Sequence, residues 1–379
     1  MIFTGCLTEQ QTSTSNAIAE IVLSEIKLDS PTILPNWTDG QYHDYYGTMK
    51  MLNGFNENYP DLVKVVSIGK SVRGKDIWCI KVSNEKNDSR KSSCLIDGCI
   101  HGCEWEAGEA CLYLIEYLLI NFDTNKTIMH ILNSSEVYIV PLLNPDGREN
   151  DDRFNDNGID LNRNFDIDFG RIRVGSIPLG KLFDRIKIPY IETPRLHKWF
   201  PKVPAFFTNC GRHSFSEPET QALRDLTKQL NDFSFYVTCH TAAHCVIGPW
   251  GAFKPPFRMT QHELHIISYV ENWIEKNTEY VTYRSGEKMV YQGEEWYCSG
   301  DSFDWVFKEY HIPSTAFEIL SEEYEMWMGK GKHDHLVHWM QTTLPVFMYL
   351  LVNIDNLREW QTPDVQPLLP EGVPPEPLQ

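Results

Sequence analysis

Hydrophobic positions along the chain follow two periods. Alternation in Leu62-Val-Lys-Val-Val-Ser-Ile and in Ile77-Trp-Cys-Ile-Lys-Val predicts two strands joined by a turn over 69–74. A continuous apolar run over 94–100 predicts a buried strand, and further strands are expected over 136–143, 233–240 and 314–320. Apolar residues at helical spacing predict helices over 43–58, 104–121, 262–276, 302–309 and 336–352. Ser216-Glu-Pro-Glu-Thr opens another, with Ser216 as N-cap and Glu219 at the capping-box distance. Residues 144–217 read as a long loop-rich section. Strands alternating with helices place the chain in the α/β class, as a single domain with a mixed, mostly parallel central sheet flanked by helices on both faces. Residues 1–36 read as a leader or flexible tether, 37–355 as the folded domain and 356–379 as a Pro-rich tail.

Composition narrows the function classes. Hydrophobic residues make up 42% and charged residues 23%, the balance of a globular chain rather than a disordered one. A formal charge of -18 argues against nucleic acid as a partner, which would call for clustered Lys and Arg. No apolar run reaches the ~20 residues of a transmembrane span. Thr4-Gly-Cys6 followed by a polar stretch resembles a clipped lipoprotein signal and makes Cys6 a candidate lipid anchor; an ordinary flexible terminus is the alternative. The sequons at Asn36, Asn87, Asn125 and Asn133 are compatible with export. An extracellular or membrane-tethered location is therefore expected, with a cytoplasmic one left open. The ten cysteines form no C-x-x-C pair, and connectivity is not legible, although Cys245 and Cys298 are one candidate pair.

The chemistry begins at strand ends. In α/β sheets, sites form beyond the carboxyl ends of the strands. His101 and His240 each close an apolar strand, and Glu104 stands three residues after His101. Two histidines and a glutamate are a known catalytic zinc set that leaves one position for water. Hydrolysis at such a centre needs a carboxylate base, and Glu318 ends the apolar stretch Thr315-Ala-Phe at another strand terminus. Taken singly, each residue has a plainer role: Glu104 as a helix cap, the histidines as core polar groups, Glu318 as a solvated carboxylate.

An ordered series of motifs weighs against that plainer account. His101-Gly-Cys-Glu104, Asn144-Pro-Asp-Gly, Gly158-Ile-Asp-Leu-Asn-Arg-Asn-Phe165, Ser216-Glu-Pro-Glu-Thr, the strand ending in His240, Tyr291-Gln, Gly300-Asp-Ser-Phe-Asp-Trp305 and Ala316-Phe-Glu318 follow one another. Over roughly residues 37–352 the chain resembles the zinc carboxypeptidases of the pancreatic carboxypeptidase A family. The resemblance implies one Zn2+ per chain on His101, Glu104 and His240, with Glu318 as general base and proton shuttle. It implies Arg153 as oxyanion partner, although Arg148 lies in the same loop. Asp160 would orient the His101 ring, Asn162 and Arg163 would hold a substrate's terminal carboxylate, and Tyr291 would close over it. A guanidinium fork suits that carboxylate, which makes peptide and protein C-termini the expected partners. Phe303 would line the pocket for the departing side chain and favour apolar or aromatic termini, while Asp301 could admit basic ones.

Departures from the family pattern are also visible. With the short segment ahead of residue 37 and the short Pro-rich tail, neither the family's folded pro-domain nor its β-sandwich appendage is expected here. Residues 166–212 make a long connection expected to shape the rim of the cleft, and Thr241-Ala-Ala-His244 replaces the family's Ser-Tyr, with His244 read as structural. Two rival functions remain: a cell-wall peptide endopeptidase or amidase of the same family, and a non-catalytic peptide-binding homologue. The second predicts a missing ligand or base, and none is missing.

Overall fold

The structure, a computed structural model, describes residues 34, 36–170, 210–241, 243–252, 255–284, 290–291, 294–295, 299–319 and 335–359. Helix α1 (Tyr45–Asn58) precedes a hairpin of β1 (Val63–Lys70) and β2 (Asp76–Val82). Then follow β3 (Ser92–Gly98), α2 (Trp105–Asn121), α3 (Lys126–Ser134), β4 (Ser135–Val140) and α4 (Pro145–Asn150). Helix α5 (Pro218–Thr227), β5 (Phe233–His240), β6 (Cys245–Gly248), α6 (Gln261–Asn277) and β7 (Val281–Arg284) come next. The remaining described elements are β8 (Val290–Tyr291), β9 (Glu294–Glu295), α7 (Ser302–Tyr310), β10 (Ser314–Glu318), α8 (Leu336–Val352) and α9 (Ile354–Glu359).

The apolar runs form the middle of an eight-stranded sheet ordered β1-β2-β4-β3-β5-β10-β6-β7. Its four central strands, β4-β3-β5-β10, are all parallel, whereas β1/β2, β2/β4 and β10/β6 pair antiparallel. Every residue of β3 and β5 is buried, because both sheet faces are covered. On one face Cys94 and Ile96 join Val237 and Cys239 in a core shared with α2 and α8. On the other, Leu95 and Tyr236 join a core built from α5 and α7. Helix α2 is buried from Trp105 through Leu119, as befits a helix lying between sheet and α8.

The segment ahead of α1 is tied to α2 by three of that helix's acids. Trp37 Nε1 donates to Glu116, Tyr42 donates its hydroxyl to Glu106 Oε1 at 2.7 Å, and the His43 N–H donates to Glu109 Oε1 at 2.7 Å. Arg148 stacks 3.5 Å over the Trp105 ring and donates to Glu109 and to the His43 carbonyl.

Several boundaries differ from those predicted, each for a local reason. The strand expected to reach 143 stops at Val140, where Pro141 cannot continue a ladder. Asn125 accepts from the Thr127 and Ile128 N–H groups and so starts α3, which periodicity did not predict. Strands β6 and β7 span only four residues each, too few for a period to show. Glu217 rather than Ser216 stands at the N-cap position of α5, without a side-chain cap bond, and Glu219 completes no capping box. Glu219 is instead buried, accepting from the Val72 N–H and from Asn155, and burial pushes its carboxyl up to about 7. Cys245 is buried, while Cys298, Cys6 and most of 166–212 lie outside the described residues. No described helix is long and apolar enough to cross a membrane.

Two loops that carry sequence motifs are locked together. Leu143 and Asn144 donate their N–H groups to Gly98 and Cys99, both at 3.0 Å, extending the β3/β4 contact past the strand ends. Asn144 Nδ2 donates to the Ile100 carbonyl at 3.3 Å, and its Oδ1 accepts from the Gly147 N–H at 2.9 Å. Gly102 then meets Gly147 so closely that a Cβ on it would lie 2.1 Å from the Gly147 carbonyl carbon. Because the obstructing atoms are backbone, Gly102→Ala should lower stability by about 1–3 kcal/mol or more, the usual cost of overpacking. Chemical denaturation of the variant measures it; an unchanged midpoint would contradict the contact.

Candidate metal centre

Parallel pairing brings three strand ends to one edge. The turn after β3 carries His101, β5 ends in His240, and Glu318 at the end of β10 is the register partner of His240. Glu104 is the N-cap residue of α2, yet its side chain makes no bond to that helix. It lies between the two imidazoles instead. Oε1 is 2.7 Å from His101 Nδ1, and Oε2 is 2.8 Å from His240 Nδ1. Ligand atoms of the three buried side chains lie within 4.8 Å of one another.

Opposing effects set the charge of the cluster. Burial works against ionised Glu104, but His101 and His240 outweigh it and hold the carboxyl well below the usual range. Asp160 behaves alike: burial raises it, while Arg153 and His101 bring it well below its ordinary value. Glu318 is different. It is half-buried, and desolvation raises it to about 7 despite the nearby His240.

The outer faces of both rings are occupied. A tautomer with Nδ1 lone pairs facing inward keeps its proton on Nε2. In His101 that nitrogen is 3.0 Å from Asp160 Oδ1. In His240 it is 3.4 Å from Thr238 Oγ1, which donates its own proton to Asp97 Oδ1 at 3.0 Å. Asn162 Nδ2 also lies 3.3 Å from that His240 nitrogen but, being a donor itself, offers its proton no acceptor; Asn162 Oδ1 is turned away and accepts from the Ser302 N–H at 2.9 Å. Partners of this kind fix ring orientation and tune ligand strength. Asp97 and Thr238 were missed in the sequence; an acid inside a buried apolar strand was the available signal.

The two arginines of the 144–153 stretch separate here, Arg148 on α4 and Arg153 in the loop beyond it. Arg153 Nε donates to Asp160 Oδ2 at 2.9 Å, and its Nη1 is 3.5 Å from Glu104 Oε1. Arg148 is committed to Glu109, His43 and the Trp105 ring instead. Arg163 is buried, and its charge reaches Asp160, Glu318 and Asp301. A Cβ on Gly300 would lie 2.3 Å from the Arg163 carbonyl oxygen, so the N-terminus of α7, with Asp301 and Phe303, is pressed against the Asn162–Arg163 turn. Asp301 caps α7 through Oδ1, while its buried Oδ2 has no hydrogen-bond partner among the described residues. The Phe303 ring and Asp301 Oδ2 both face Gly251, at 3.0 and 3.4 Å from where its Cβ would stand. Tyr291 belongs to the β8/β9 pair, and its side chain lies outside the described residues.

The donor set fits zinc. Two imidazole nitrogens and a carboxylate oxygen, already facing one another, match an ion that takes nitrogen at ~2.0–2.1 Å and oxygen at ~2.0–2.2 Å. Relatives agree with that chemistry. A family model described as zinc carboxypeptidase matches residues 48–338. Carboxypeptidase B2 of Rattus norvegicus is 24% identical over 319 residues, covering 77% of this chain and 66% of that protein. Carboxypeptidase A6 of Mus musculus is 25% identical over 298 residues, covering 73% and 60%. A zinc carboxypeptidase of Saccharothrix mutabilis subsp. capreolus is 36% identical over 111 residues, covering 29% and 26%. The matches thus take in between about a quarter and two thirds of those relatives' own lengths. Among solved structures, thrombin activatable fibrinolysis inhibitor superposes with a TM-score of 0.64 at 20% identity, over 90% of this chain and 80% of that one. Carboxypeptidase A from Helicoverpa armigera gives 0.61 at 19% identity, over 93% and 81%, so both share the fold. Family pattern, relatives and fold agree: the chain belongs to the zinc carboxypeptidase family.

Proposed function

We propose that the protein is a zinc-dependent carboxypeptidase that removes the C-terminal residue of peptides and proteins. The observation that carries this reading is Glu318, half-buried with its carboxyl near 7, beside His240 at the edge that holds His101 and Glu104. A carboxyl with a pKa near the working pH both accepts and returns a proton. Bound zinc would acidify a water molecule and polarise the last peptide carbonyl. Glu318 takes the attacking water's proton and delivers it to the leaving amine. Arg153, held by Asp160, directs its remaining N–H groups at the developing oxyanion. Asn162 and Arg163 receive the terminal carboxylate, and Tyr291 closes over the bound end.

Substrate preference rests on the pair facing Gly251. The Phe303 ring offers an apolar wall, and Asp301 Oδ2 offers an acceptor for a Lys or Arg terminus, which gives a dual preference. A location outside the cell agrees with the four sequons.

Glu318→Gln should keep the metal and lose turnover by ~10²–10⁴-fold, the usual worth of a general base. Metal content and kcat of the variant test this; near-normal kcat would remove Glu318 from the mechanism. Peptides carrying a C-terminal amide should resist hydrolysis, since Arg163 then has no carboxylate to grip. Efficient cleavage of the amides, or of muropeptides, would favour the endopeptidase or amidase reading. Asp301→Ser keeps a capping hydroxyl and should cut release of Lys and Arg about tenfold relative to Leu and Phe. Burial holds Asp301 near 7, so in the native enzyme the relative release of basic residues should rise with pH through neutrality, as the carboxyl ionises. A C-terminal residue profile that is flat across pH and unchanged in the variant would refute the role of Asp301.

A further inference from the structure

The Ser216-Glu-Pro-Glu-Thr220 motif has no part in the chemistry above. Yet Glu217, Glu219 and Thr220 are buried, and all three bond to one segment, 155–164. At its front stands Asn155, whose Nδ2 donates to Glu217 Oε2 at 2.7 Å and to Glu219 Oε2 at 3.1 Å. The Asn155 Oδ1 accepts from the Asn157 and Ile159 N–H groups at 3.1 and 3.0 Å, so every donor and acceptor of this buried amide is used. At the back stands Asn164, also buried. Its Oδ1 accepts from Thr220 Oγ1 at 2.7 Å, and its Nδ2 donates to Ser216 Oγ at 2.9 Å. Ser216 Oγ donates onward to Glu217 Oε1 at 2.8 Å, so one carboxylate ties both ends. We propose that this motif is a positioning element for the reaction: through Asn155 it holds Asp160 against the His101 ring, and through Asn164 it holds Asn162 and Arg163 in place for a substrate's terminal carboxylate.

Connectivity along the segment carries the assignment, and its second half rests on the carboxypeptidase reading given above. Ile159, whose N–H Asn155 holds, directly precedes Asp160. The two Asp160 oxygens lie 3.0 Å from His101 Nε2 and 2.9 Å from Arg153 Nε. A displacement of Asn155 therefore reaches a metal-facing imidazole and the oxyanion arginine through one carboxylate. Asn164 directly follows Arg163, so the two substrate-holding residues lie between the anchors. The two grips are separable. Glu219 bonds to Asn155 and the Val72 N–H, whereas Thr220 bonds to Asn164 and the Glu217 carbonyl. Both acids flank Pro218 at the start of α5, where the helix dipole favours the negative charge that accepts from the Asn155 amide. A motif that served stability alone would lower every property together; two grips on two functional groups should split them.

The test measures zinc affinity, KM, kcat and thermal midpoint in the full chain. Glu219→Gln keeps the side-chain shape but replaces one of two acceptor oxygens by a donor. Its zinc affinity, read by competition with a chelator, should fall ~10-fold, at the low end of what loss of a ligand's outer partner costs. Its kcat should fall with it, while KM stays near the wild-type value. Thr220→Val removes only the hydroxyl that Asn164 accepts from. It should raise KM for peptides with a free C-terminus about fivefold, the order of one hydrogen bond, with zinc affinity and kcat retained. Thr220→Ser should restore KM. A wild-type chain that binds zinc but releases no C-terminal residue would defeat the carboxypeptidase reading, and the zinc affinity of Glu219→Gln would still decide the front grip. If Glu219→Gln does not fold, the Thr220→Val and Thr220→Ser pair decides. Wild-type zinc affinity and KM in both folded variants, or a joint fall of affinity, KM and midpoint in each, would overturn the proposal.

Discussion

Nδ1 of His101 and Nδ1 of His240 face the two oxygens of one buried carboxylate, Glu104, and the sheet is arranged so that they can. A buried anion without partners would cost several kcal/mol, so Glu104 is tolerable only where positive charge or metal answers it. Its neighbours come from separate segments. His101 follows β3, His240 ends β5, and Arg153 arrives from the loop beyond α4. Only a parallel arrangement delivers adjacent strand ends to one edge, which is why the four central strands are parallel while antiparallel pairs occur on either side. Glu318 follows from the same rule.

Precision at that edge comes from backbone pressed on backbone. Gly102 against Gly147, and Gly300 against the Arg163 carbonyl, lock the turns that carry the polar groups. A side chain at either glycine would hold the loops apart and spoil the distances around Glu104. The Asn144-Pro-Asp-Gly motif owes its place to this locking as well. Asn144 bonds to the loop of His101 and caps α4 at once.

The parts of the fold legible in the sequence were those with a long period or an uninterrupted apolar run. Strands β3 and β5, and helices α2, α6 and α8, fall within a few residues of expectation because burial on both faces, or along one stripe, leaves a pattern. Strands β6 and β7 were too short to leave one, and α3 depends on a single capping side chain, Asn125. The convergence of His101, Glu104 and His240 was legible because each ends or follows an element. Which of Arg148 and Arg153 stands beside them was not, since the short helix α4 that carries Arg148 away from the site and leaves Arg153 in the loop beyond shows no period in the sequence. Thr238 and Asp97 escaped notice for the same reason: a polar pair inside a strand acquires meaning only once the ring beside it is known.

The acids along α2 have a practical reach beyond stability. Glu106, Glu109 and Glu116 are buried, and the donors that neutralise their exposed lone pairs include Trp37, Tyr42 and His43, ahead of the first helix. The folded body therefore includes this stretch, and the buried Leu34 ahead of it, as well as α1. A recombinant boundary cut between His43 and Tyr45 would strand those carboxylates beside the Arg148 stack and loosen the helix that presents Glu104. A tag or fusion partner joined directly at Trp37 would also displace Leu34, which packs in the core and accepts from the Trp37 N–H, and so would open the same seam.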